Sequence, residues 1–240
     1  NDAKSFRQQL CGAAWVKSKA SQIKMFTGSF GSIPQAVCTD PFALKDELKD
    51  AVIECLKLSP KGDCPDGRYG PIEEWDVSTV TDMDKTFHDA SSFNGDISKW
   101  DVSSVISMTS MLNRARLFNG DLSKWDVSSV TDMNLMFNQA KMFNGGISKW
   151  DVSSVTNMPS MFMRATSFNG DISKWDVSSV TNMQGMFMHA TSFDGGLSHW
   201  DVSSVTDMHG MFFEAYAFNK EISRWDVSRV NSMAYMFLHA

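Results

Sequence analysis

The chain has 240 residues, of which 42% are apolar and 21% charged, and its formal net charge is −6. That composition describes a globular protein of one or two domains rather than a disordered one. The acidic balance argues against nucleic acid as a partner, because phosphate binding needs clustered Lys and Arg, and no apolar run approaches the ~20 residues that cross a bilayer.

The leading region, 1–74, reads as a helical cap. "SFRQQLCGAAWVKSKASQIKMF" predicts one helix and "TDPFALKDELKDAVIECLKLSP" a better one. In the second, Asp40 is the expected N-cap, Pro41 sits in the first turn, and Leu44, Leu48, Val52, Cys55 and Leu56 share one face. "PKGDCPDGRYGP" reads as loop. Cys11, Cys38, Cys55 and Cys64 all lie here and none lies in the rest of the chain. An even set in a short terminal region suggests disulfides made in an oxidising compartment, with Cys11–Cys38 and Cys55–Cys64 favoured by proximity. Four buried thiols are the alternative. No CxxC pair and no nearby His offers a zinc site. The chain starts at Asn1 without a signal-like apolar stretch, so either a leader has been removed or the fragment begins late.

From residue 75 onward one sentence is written repeatedly. Tryptophan recurs at Trp75, Trp100, Trp125, Trp150, Trp175, Trp200 and Trp225, with no insertion between. In the third copy, Trp125 and Val127 are two apart, which is strand spacing. Met133, Met136, Phe137 and Ala140 follow i, i+3, i+4, i+7, which is one helix face. Thr131 is the expected N-cap, Asp132 suits the first turn, and Asn144-Gly145 marks a turn. The predicted unit is a short strand, a turn, a short helix and a return loop, over 75–240. The expected fold is therefore an α/β solenoid, since one unit cannot bury its own apolar side but stacked units can. Strands stack ~4.8 Å apart and helices ~8–10 Å, so the array should curve with its strands on the concave face. The expected cap, 1–74, shields Trp75 and Val77. At Ala240 the chain stops in mid-repeat, which implies that it continues or that a partner covers this end.

Stacking turns each repeat position into a column. One column is aspartate, including Asp101, Asp126, Asp151 and Asp176. Either each accepts a backbone N–H two residues on, or pairs hold Ca²⁺. Lys99, Lys124, Lys149 and Lys174, two residues earlier and expected on the same concave face, favour the first reading. Asn94, Asn119, Asn144 and Asn169 are expected to point inward and satisfy loop backbone. The Met pairs, such as Met133 and Met136, read as core, and the five histidines as surface residues. No column suggests a cofactor or a metal.

One column changes character. His88, Asn113 and Asn138 are followed at the same place by Met163, Met188, Phe213 and Leu238. A helix would put this position about 100° from the buried face, so the four apolar residues, with Tyr216 and Tyr235, form a candidate contact strip. Packing between neighbouring helices is the competing reading.

The unit W-D-V-S-S-V-T-x-M-x-x-M-F-x-x-A-x-x-F-N-x-D-I-S-x resembles the ~25-residue repeat of bacterial surface lipoproteins, also found in marine algal proteins, which is similar to BspA-type leucine-rich repeats. "LKDELKDAVIECL" and "YGPIEEW" resemble the lead-in that precedes that repeat. The resemblance implies a leucine-rich-repeat-like solenoid, secretion or surface display, and binding or adhesion, with no catalytic residues. No GxSxG, HExxH or Walker-type run is present, which agrees with a non-enzyme. The expected function is a surface scaffold binding a protein or a polysaccharide, or copies of itself. A structural subunit of an extracellular filament or appendage is the alternative. Ice or mineral binding is a weaker third reading.

Overall fold

The computed structural model describes Phe42 and residues 45–240. The first predicted helix, Asp40, Pro41, Leu44, Cys11 and Cys38 lie outside the described residues. Helix α1 spans Lys45–Leu58, with Asp46 and Glu47 in its first turn and Lys57 in its last, a charge order that suits the helix dipole. It buries Leu48, Ala51, Val52 and Cys55, and Leu56 packs partly against the same core. Cys55 is bonded to Cys64, with Cα atoms 5.4 Å apart, and this ties the helix to the following loop.

That loop and a 3-10 turn at Ile72–Glu74 act as a partial rung beneath the first repeat. The carbonyl of Lys61 accepts the Asn94 N–H at 3.0 Å. The carbonyl of Ile72 accepts the Trp100 indole N–H at 2.9 Å. Ile72 stands 25 residues before Ile97, whose own carbonyl does the same for Trp125 at 3.0 Å. Phe42 and Tyr69 close the stack with rings 5.1 and 5.9 Å from Trp75. Lys45 Nζ adds an ion pair to Asp82 at 2.9 Å.

Each 25-residue repeat forms one rung, numbered one to seven from Trp75 to Trp225. The expected strand-plus-helix unit is absent. No rung contains a helix, and the extended pairing is reduced to one residue per rung, in the parallel series Asp82, Ser107, Asp132, Asn157, Asn182, Asp207 and Ser232. The α/β leucine-rich-repeat cross-section is therefore overturned. With no helix to space the rungs, the reason for expecting a curved array with a strand-lined concave face also falls away.

The backbone shows why. In rung one the N–H groups of Met83, Lys85, Phe87 and Asp89 donate to the carbonyls of Ser107, Thr109, Met111 and Asn113 in rung two, at 2.8–3.0 Å. The intervening N–H groups of Thr86, His88 and Ala90 donate three residues back, to Met83, Lys85 and Phe87. Alternate amides thus serve the neighbouring rung and their own turn, and this segment needs no i−4 bond. The geometry requires left-handed residues at Lys85 (φ 61°) and Asp89 (φ 62°), repeated in every rung. Only Gly185 and Gly210 among these positions are glycine. A left-handed non-glycine residue costs roughly 1–2 kcal/mol, offset here by paired backbone and buried side chains. The i, i+3, i+4, i+7 residues Met133, Met136, Phe137 and Ala140 are all fully buried, so the spacing identified the inward positions while the backbone between them turned another way.

The core is a set of columns. Trp125, Trp150 and Trp175 stack at 6.3–6.4 Å. Phe143, Phe168 and Phe193 stack at 5.8–6.0 Å, and within each rung the two Phe rings lie close, as at Phe162–Phe168, 3.9 Å.

Candidate functional site

Several columns are occupied in holding the stack. From Trp100 onward each Trp indole N–H donates to a carbonyl 28 residues earlier, as Trp150 Nε1 to the Leu122 carbonyl at 2.9 Å. The Asn column is exposed rather than inward, and each Oδ1 accepts the backbone N–H of the next copy: Asn94 from Asn119, Asn119 from Asn144, Asn144 from Asn169, at 2.8–2.9 Å.

Asp101, Asp126, Asp151 and Asp176 are exposed, and each Oδ1 accepts both the N–H and the hydroxyl of the Ser two residues on. The Ser128 hydroxyl, then its N–H, holds the Asp126 carboxyl below its usual range, and Ser153 does the same for Asp151. Among the described residues no group of three or more His, Cys, Asp or Glu is arranged to hold a metal ion. Lys99, Lys124, Lys149 and Lys174 are all exposed. They lie on the turn before each Trp, not on a strand. A second acidic column escaped notice in the sequence: Asp96, Asp121, Asp171 and Glu221 each accept the N–H of a Ser two residues on. Its signal was the recurring Asp-Ile/Leu-Ser.

The strip predicted at Met163, Met188, Phe213 and Leu238 lies along one edge of the stack, but not as predicted. Met163, Met188 and Phe213 are half-buried, and the earlier occupants Asn113 and Asn138 are buried, with no hydrogen-bond partner for either Oδ1. A helix would set this position about 100° from the buried face; here the following residue, Arg164, His189 or Glu214, is left-handed and the position turns partly inward. The Met188 methyl lies 2.7 Å from where a Cβ on Gly210 would stand, so glycine makes room for it. Leu238 is 42% exposed, and Tyr216 and Tyr235 are each 62% exposed.

Side chains along this edge touch one another across rungs. Arg114 Nη1 meets Asp89 Oδ1 at 3.2 Å, and His189 Nδ1 meets Glu214 Oε2 at 3.0 Å. The His189 and Phe213 rings meet edge to face at 5.3 Å, and Tyr216 Oη donates to Glu214 Oε2 at 2.9 Å. Positions 13, 14 and 16 after each Trp therefore share one surface. The copies differ here, as they do at positions 9 and 10, which run from Asp84 and Lys85 to Ala234 and Tyr235. Position 14 reads Asp89, Arg114, Gln139, Arg164, His189, Glu214, His239, whereas the residue after Trp is Asp in every rung. Sequence reasoning missed Arg114, Arg116, Leu117, Lys141, Met142 and Arg164 on this edge. Their signal was departure from the repeat rather than adherence to it.

Among the described residues no helix is long and apolar enough to cross a membrane. No curated protein and no solved structure matches the chain. Residues 63–169 and 143–240 each match the family described as "Mycoplasma protein of unknown function, DUF285". The two matches overlap, as a repeated unit allows, and together take in every rung. That family accounts for the repetition and lends no support to the leucine-rich-repeat kinship that the resemblance implied. The chain belongs to the DUF285 family.

Proposed function

We propose that this protein is a non-enzymatic binding scaffold, secreted or displayed at a cell surface, that uses the variable edge of its rungs to recognise a protein or a polysaccharide. The observation that carries the reading is where the copies differ. The buried core positions repeat almost unchanged, while positions 9, 10, 13, 14, 16 and 17 vary from rung to rung, and position 10 adjoins position 13, as Gly210 does Met188 and Phe213. Stability asks only for the repeated positions, so variation gathered on one edge of a constant frame suits recognition. The Cys55–Cys64 bond supports an oxidising compartment. Non-catalytic work fits the carboxylates, which serve repeatedly as turn acceptors rather than as one poised acid–base pair.

The test is selection of ligands from a random peptide library and a glycan array. Wild-type protein should enrich ligands that Met188→Asn/Phe213→Asn/Tyr216→Ser binds at least tenfold more weakly, while Lys124→Ala/Lys149→Ala binds them unchanged. Circular dichroism checks that both variants keep the fold. Ligands lost with the lysine variant and retained by the edge variant would refute the reading. Self-association abolished by the edge substitutions would instead favour a subunit of an extracellular assembly.

A further inference from the structure

The variable edge is not uniform along the stack. Rungs two to four carry Arg114, Arg116, Lys141 and Arg164 on it, in a chain whose net charge is −6. Arg114 is paired with Asp89. Among the described residues, no carboxylate lies within ion-pair distance of Arg116, Lys141 or Arg164. Cations collected on three successive rungs and left without counter-charges form a surface that attracts an anionic partner.

Two further features narrow that partner. Leu117 and Met142 follow Arg116 and Lys141 in the chain and are 54% and 51% exposed. The Met142 N–H donates to the Arg116 carbonyl at 3.1 Å, so the two copies of this corner lie side by side. A polyanion with only sugar or phosphate groups would leave these apolar side chains in water, whereas a polypeptide with apolar residues beside its carboxylates covers them. Arg also matches carboxylate geometry through paired N–H donors. Beyond rung four the edge becomes apolar and aromatic, with Met188, Phe213 and Tyr216, and its one carboxylate, Glu214, is already engaged by His189 and Tyr216.

We propose that the edge docks a polypeptide segment laid along the stack, its acidic run over Arg116, Lys141 and Arg164 and its apolar run over Met188, Phe213 and Tyr216. This rests on the binding-scaffold reading above and names its partner. Adjacent rungs are ~4.8 Å apart, so the distance from rung two to rung six is about 20 Å, which about six extended residues span. The frame is held by rung-to-rung hydrogen bonds before anything binds, which lowers the ordering cost of association.

The experiment is a random ten-residue peptide library displayed on phage, selected on the full chain, with the winners remade as soluble peptides. Enriched sequences should place two or more Asp or Glu on one side of a Leu, Phe or Met pair. Their Kd should rise at least tenfold with Arg116→Glu/Lys141→Glu, rise with added salt, and stay within twofold for the control Lys124→Glu/Lys149→Glu. Absence of enrichment, enrichment without acidic residues, or indifference to the Arg116 and Lys141 reversals would overturn the proposal. Polygalacturonate binding more tightly than every selected peptide, with the same charge dependence, would overturn it in favour of a polysaccharide. If ligands depend on Met188 and Phe213 but not on Arg116 and Lys141, the acidic partner is wrong and the binding edge survives. If they depend on neither pair, both readings fail.

Discussion

A single added methyl group tests the spacing of the rungs. A Cβ built on Gly145 would stand 2.4 Å from the Gly120 carbonyl oxygen of the preceding rung and 3.1 Å from the Phe143 ring. The ring has little room to retreat, because Phe143 is fully buried and stacked between Phe118 and Phe168, each with its ring centre 6.0 Å away. Gly145→Ala must therefore push two rungs apart, and overpacking of this kind costs ~1–3 kcal/mol. In a chain of this size each kcal/mol moves Tm by roughly 2–4 °C, so a loss of about 2–12 °C is expected. Gly196 supplies the control, because a Cβ there meets nothing within 4 Å and its φ is ordinary. Gly196→Ala should be neutral or stabilise by about 0.4–1 kcal/mol through the unfolded chain. Calorimetry of the two variants decides the matter. Amide exchange at Asn144, whose N–H donates to Asn119 Oδ1, should quicken only in Gly145→Ala. If the two alanine variants melt within a degree of each other, the close approach of the rungs is wrong.

Two further outcomes are expected. Trp150→Ala removes a ring stacked between Trp125 and Trp175 and should cost ~3–5 kcal/mol, against ~0.5 or less for Lys149→Ala. Trp150→Phe, which leaves the Leu122 carbonyl without its indole donor, should fall between them at ~1–3 kcal/mol, and equal denaturant midpoints for all three would refute the inward ladder. The second outcome concerns acid. Asp126, Asp151 and Asp171 titrate below the usual carboxylate range, chiefly because a Ser hydroxyl donates to each. Their folded-state pKa values lie below the unfolded ones, so the stabilisation is present above about pH 4 and is lost as pH falls through the folded values. Asp126→Asn keeps an oxygen acceptor but cannot titrate, and should flatten part of the acid limb of a stability–pH curve. An unchanged limb would show that these turns contribute nothing to acid sensitivity.

Which residues face inward was legible in the chain itself. Trp150, Val152, Val155, Met158, Met161, Phe162, Ala165, Phe168 and Ile172 recur at a fixed interval and are all buried. Repetition implies stacking on physical grounds, because one 25-residue unit cannot cover its own apolar face. The second helix, the Cys55–Cys64 pair and the aspartate turns were readable for the same kind of reason, since each depends on residues close in sequence. The variable edge was only half legible. Met163, Met188 and Phe213 announced themselves as a change of character, while Arg116 and Lys141 looked like noise in the repeat.

The backbone path between the inward residues was decided by tertiary structure. Met133, Met136, Phe137 and Ala140 satisfy a helix on spacing alone, and nothing local forbids one. What displaces the helix is the neighbouring rung, which offers carbonyl partners to alternate N–H groups all along the segment and holds Leu135 and Gln139 at φ 58°. Those partners lie 24 residues away and exist only once rungs have stacked. Composition and periodicity therefore set what must be buried, while the neighbour's hydrogen bonds chose the turns that bury it.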